Sequence, residues 1–185
     1  MTSSDGRLGG VIRFAAPDVG IAGVGQSLLH QHLVVPVSRR IGGENTGIAM
    51  HSPESRPATL HLILRREQGN IVAEKEISDF PPAGHQARLI DELFPEVEED
   101  FSGLLEIRSS DSGVAATALQ LGPRGAVEFT TLPVTPVVAE LVEEPVEIGF
   151  AQFGNGDGLI CDLVLFNPSS SQAVNFDVEF FNDEG

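Results

Sequence analysis

Three short stretches carry side chains whose types and spacing could do chemistry. His30, Gln31 and His32 place two imidazoles on one face of an extended strand, a spacing that can bind zinc or copper. Spacing names no third ligand, and an exposed segment ahead of a strand accounts for the same residues. In GNGDG (154–158), Asn155 and Asp157 could give calcium the oxygens that acidic, Gly-rich loops of extracellular modules supply. The stretch lacks the fixed acidic spacing of an EF-hand and its distal Glu, and reads first as a hairpin turn. Cys161 alternates in phase with Leu163 and Leu165, so the expectation is a buried, inert thiol. Neither a helix start nor a basic cluster lies nearby to lower its pKa. The motifs G-x-S-x-G, H-E-x-x-H and G-x-x-x-x-G-K-[ST] are absent. The expectation is a protein that is not an enzyme and carries no cofactor.

Composition narrows the partners. Eleven Lys and Arg stand against 27 Asp and Glu across 185 residues, a formal charge of -16 that repels phosphate backbones and anionic lipid surfaces. Nucleic acid and membrane insertion are therefore not expected. One cysteine excludes an internal disulfide framework, so stability must come from packing or from neighbouring copies. The absence of Trp and Tyr removes the usual amphipathic rings of a sugar platform, so a glycan would have to be held by Phe. The first residues, MTSSDGRLGG, show no basic segment leading into an apolar one. The chain is thus expected to be cytoplasmic or a piece of something longer.

The elements that must position these residues are short alternating segments: 11–15, 33–37, 46–52, 58–64, 71–77, 103–109, 114–121 and 127–134. Turn residues bound each of them, as in REQGN and SSDSG, which is the pattern of an antiparallel meander or sandwich. One helical turn or two is expected in ARLIDELFPEVEED, where Leu89, Ile90, Leu93 and Phe94 recur at helical spacing before Pro95. Leu93 and Phe94 should plug one end of the core, and Arg88 should pair with Asp91 or Glu92. Glu96, Glu98, Glu99 and Asp100 read as a solvated loop.

The chain also repeats itself. With Pro53 under Pro168, an offset of 115 puts Gly43 under Gly158, Ile48 under Leu163 and Met50 under Leu165. After a one-residue slip, Leu60, Leu62 and Leu64 fall under Phe176, Val178 and Phe180. A repeat of that length is a domain repeat, in which each copy should carry most of its own core. The expected organisation is a complete module over 10–136, a linker over 137–148 and the opening strands of a second copy over 149–185.

The succession GGENTGIAMHSPESRPATLHLILRREQGNIV, PPAGHQARLIDELFP, FSGLLEIRSS, GVAATALQL and FTTLPV resembles a repeat module of large bacterial secreted or cell-surface proteins. The resemblance covers nearly the whole chain. It implies an all-β, immunoglobulin-like antiparallel β-sandwich used in tandem, and it supplies no catalytic residues. One departure is Ser52, where the second copy has the more typical Asn167. On this reading Asn45, Pro53 and Gly84 serve turns, Gly84 through a φ that other residues resist.

The function expected is structural: a spacer, an adhesive stalk or a strand-mediated assembly device, located outside the cell or on a bacterial surface. The partner would be protein, in the form of neighbouring copies of the module or chain. The assembly surface would be Phe150, Leu163, Leu165, Phe176, Val178 and Phe180, because a three-stranded sheet with one such face should not stand alone in water. The alternatives are a module that binds glycan or calcium, and a hydrolase with an unrecognised site.

Overall fold

The structure is a computed structural model. It describes residues 11–16, 20–110, 112–123, 129–137, 163, 165–167 and 173–179. The chain divides into two compact units, Met1–Val138 and Ala139–Gly185.

Eleven strands are described, all in the first unit: β1 (Val11–Ala16), β2 (Gly20–Gly25), β3 (His32–Arg39), β4 (Asn45–His51), β5 (Ala58–Arg66), β6 (Ile71–Phe80), β7 (His85–Leu89), β8 (Phe101–Ser109), β9 (Ala115–Leu121), β10 (Phe129–Leu132) and β11 (Thr135–Pro136). One helical turn, α1 (Ile90–Leu93), lies between β7 and β8. All described pairings are antiparallel. β1 and β2 form a separate two-stranded ribbon.

The other strands fold as a two-layer, sandwich-like body. One layer runs β7-β4-β9-β10 and the other β11-β3-β8-β5-β6. Among the described residues, the strand pairings of the two layers are joined only where Arg39 pairs with Asn45, beside the β3–β4 turn. Alternation explains the division. In β4, Thr46, Ile48 and Met50 are buried while Gly47 and Ala49 are not; in β5, Ala58, Leu60, Leu62 and Leu64 are buried. These faces meet Leu33, Val35, Val37, Leu105 and Ile107 in one core. Each fully buried Leu, Ile or Phe contributes about 1.5–3 kcal/mol.

Turn chemistry fixes the hairpins. Gly69 N–H donates to Arg66 O at 2.8 Å, and Gly69 takes φ 84°, so REQGN closes β5 onto β6 through a residue in the left-handed region. At PPAG the expectation fails in an informative way. The positive φ falls on Ala83, at 51°, and Gly84 is required for space, because a Cβ there would lie 2.4 Å from Pro81 O.

The helical segment is a single turn, within the one or two expected. Ahead of it HQARL forms strand β7 because it completes a ladder with β4, from Gly47 opposite Leu89 to His51 opposite His85. Glu92 Oε2 accepts the Leu89 N–H at 3.0 Å and so caps α1. Arg88 donates instead to Ala87 O at 3.1 Å, which corrects the expected pairing. Lys75 Nζ donates to Leu93 O at 3.0 Å, satisfying a carbonyl at the helix end. Leu93 and Phe94 are buried in the core. The acidic stretch behind them is exposed as expected at Glu96, Glu98, Glu99 and Asp100, with Glu99 pairing to Arg66 and Asp100 Oδ1 accepting the Ile41 N–H at 2.8 Å. Asn45 opens strand β4, so it does not serve a turn as expected.

β2 has no counterpart in the alternating pattern, since three of its six residues are Gly. VEFTTLPV divides, its FTTL forming β10 opposite Ala118–Leu121, while the next two residues, Thr135 and Pro136, form β11 against β3. No helix among the described residues is long and apolar enough to cross a membrane.

Candidate functional site

Register, rather than any local motif, builds the most concentrated group of charges. In β8 the residues Leu105 and Ile107 face the core, so Glu106 projects from the other side of the sheet. It stands opposite Val34 of β3 and Ile63 of β5. Yet Glu106 is 0% exposed. Its Oε2 accepts from Arg65 Nε at 3.0 Å, and its Oε1 accepts from Arg108 Nε at 2.6 Å and Nη2 at 2.5 Å. His32 Nε2 lies 2.6 Å from the same Oε1. Three strands thus place two guanidiniums and an imidazole around one buried carboxylate.

The electrostatics follow from burial against charge. Burial alone would raise the Glu106 pKa, but hydrogen bonds from Arg108 and Arg65 outweigh it and hold the carboxyl below its ordinary value. For His32, burial lowers the pKa and outweighs the pull of the Glu106 carboxylate, with Arg108 and Arg65 pushing the same way as burial. A carboxylate held ionised and enclosed by donors is a poor general acid and a weak base. The geometry therefore does what a cross-strand clamp does.

A second polar feature is an open cleft of about 440 Å³ beside the β3–β4 and β5–β6 turns, with Arg39, Arg40, Glu44, Arg66, Glu67 and Asp100 among its lining residues. Its charges largely answer one another. Arg40 Nε lies 3.3 Å from Glu44 Oε1, Arg66 sits 5.9 Å from the Phe101 ring centroid, and Ser102 Oγ donates to Glu67 at 3.0 Å. Arg39 reaches the Val97 carbonyl.

The residues singled out from sequence are dispersed. His30 exchanges both backbone hydrogen bonds with Val114, at 3.1 and 2.9 Å, and His32 joins the Glu106 cluster. Among the described residues no group of three or more His, Cys, Asp or Glu is arranged to hold a metal ion. Asn155, Asp157, Cys161, Phe150 and Phe180 lie outside the described residues, as do 138–148 of the expected linker over 137–148 and all but eleven positions of 149–185. Leu163, Leu165, Phe176 and Val178 are described, and all four are exposed. Glu106 went unnoticed because GLLEIRS reads as an ordinary strand. The signal was a lone acid inside an apolar run, with an Arg two positions on and therefore on the same face.

Comparison with family models, with curated proteins and with solved structures found no match.

Proposed function

We propose that this chain is a non-enzymatic structural and interaction module, an immunoglobulin-like β-sandwich followed by the start of a second copy, working in tandem within a bacterial secreted or cell-surface protein. The observation that carries this reading is the exposure of Leu163, Leu165, Phe176 and Val178, which reaches 63% at Phe176. Large apolar side chains left exposed in this way are candidates for a contact site. The two-layer body supports the reading from the other side. Its core is complete within residues 33–118, and the chain switches layers repeatedly, between β3 and β4, β4 and β5, and β6 and β7. Such a body resists extension and spaces its neighbours, while the apolar residues of the second unit recruit strands or faces from another copy.

The test is the solution mass of the chain by light scattering across a concentration series, beside a Phe176→Ser, Val178→Ser variant. The mass of the native chain should grow with concentration, and that of the variant should stay near the monomer value. A constant monomer mass for both would eliminate assembly and leave a spacer.

A further inference from the structure

We propose that His51 and His85 form a surface site for a divalent first-row transition ion that prefers imidazole, such as Zn²⁺, Ni²⁺ or Cu²⁺. The two residues are direct cross-strand partners in the β4–β7 ladder, so their side chains leave the same face of the sheet. The neighbouring bond fixes the kind of pair. Ser52 N–H donates to Gly84 O at 3.2 Å, which makes Ser52 and Gly84 the hydrogen-bonded pair and His51 with His85 the adjoining one that exchanges no backbone bonds. In antiparallel sheets that is the closer kind, with Cα atoms about 4.5 Å apart.

One ring is already set for ligation. His51 Nδ1 lies 2.8 Å from Gly84 O. A carbonyl only accepts, so Nδ1 carries the proton and donates, which leaves Nε2 with its lone pair when the ring is neutral. A hydrogen bond from the second ring nitrogen to a backbone carbonyl is the support that metal-bound histidines use. The carbonyl is itself held by the PPAG turn, through Gly84 N–H to Pro81 O and Ala83 N–H to Glu54 O, both at 2.9 Å.

The surroundings are open. His51 and His85 are exposed, and the register places only small side chains beside them on that face: Ala49, Ala87, Ala115 and Thr117. Two imidazoles occupy two positions of the ion, and water takes the others, in keeping with the absence of a third protein ligand among the described residues. The pairing exists only in the folded register, so the ion stabilises the native state over the unfolded chain.

The experiment uses the full chain without an affinity tag, with Zn²⁺ and separately Ni²⁺ at about 1 mM. Bound metal is measured by equilibrium dialysis, and stability by urea unfolding. For a dissociation constant near ~0.1 mM, the apparent unfolding constant of the native chain should fall about tenfold. His51→Gln and His85→Gln should each abolish most of that shift and the retained metal. His61→Gln, an exposed histidine in the other layer that lies 3.5 Å from Glu76, should keep both. A native chain that retains no metal and shows no shift would overturn the proposal. So would a shift that survives either His51→Gln or His85→Gln, or one removed instead by His30→Gln.

Discussion

Replacing Arg65 with Met should destabilise the first unit more than replacing Arg108 with Met, although Arg108 makes the shorter contacts. The reason is how the donors divide between the two oxygens of Glu106. Oε1 has Arg108 and His32, whereas Oε2 has Arg65 alone among the donors described above. Met keeps the apolar stem of Arg65 packed but removes that donor, leaving one oxygen of a fully buried carboxylate without it. Breaking a buried pair costs about 3–5 kcal/mol, and about 3 kcal/mol is expected here because Oε1 stays neutralised. Arg108 is 46% exposed and its loss leaves both oxygens with a partner, so about 1–2 kcal/mol is expected. The difference amounts to roughly a tenfold ratio in the unfolding constant. The chain has no Trp or Tyr, so unfolding in urea is best followed by circular dichroism, with the slope checked for constancy. Adding Glu106→Met to Arg65→Met should recover part of the loss, because the orphaned charge goes with it. The reasoning fails if Arg108→Met costs as much as Arg65→Met, or if the double variant is worse than the single one.

The same cluster predicts how stability depends on pH. His32 and Glu106 both have folded pKa values below their ordinary ones, so in each case the unfolded chain takes up the proton first. Their contributions are complete above the unfolded pKa and are lost as pH falls toward the folded one. Urea midpoints should therefore decline in two steps, one beginning near pH 6.5 from His32 and one near pH 4.5 from Glu106. His32→Gln should remove the upper step and keep the lower. In the β5–β6 turn, Gly69→Ala forces a Cβ into φ 84° with nothing within 4 Å to obstruct it, so the cost is backbone strain alone. About 1–2 kcal/mol is expected from thermal unfolding, and a change under about 0.5 kcal/mol would contradict the assigned turn.

The strands were legible where one face is buried and the other wet. β4 and β5 alternate because each of their two layers has a core side and a solvent side, and that is a property of the sequence itself. β7 was not legible. HQARL has no apolar alternation, and it is a strand only because β4 offers it a ladder. The positive φ at PPAG was expected on Gly84 and falls on Ala83 for a related reason: which residue takes it depends on the turn that Pro81 O and Gly84 N–H close. The charge cluster and the histidine pair were beyond sequence reading because residues 32, 65, 106 and 108, and likewise 51 and 85, become neighbours through register.

Register is also what the cluster helps to specify. β8 is buried on both faces: of FSGLLEIRS only Ser102 and Arg108 are exposed. A strand of that kind loses part of the protection that alternation gives against slippage, since a one-residue shift exchanges one largely buried face for another. Glu106 breaks that degeneracy. In the native register it meets Arg65 from β5 on one side and His32 from β3 on the other, while Leu105 and Ile107 face the core. A one-residue slip would turn the carboxylate into the core, away from the two guanidiniums and the imidazole, at a cost of several kcal/mol. The clamp therefore favours one pairing of β3, β8 and β5 over its neighbours, even where its net contribution to stability is small. That gives the most buried strand of the sandwich a single address, and it accounts for the place of a buried acid between β3 and β5.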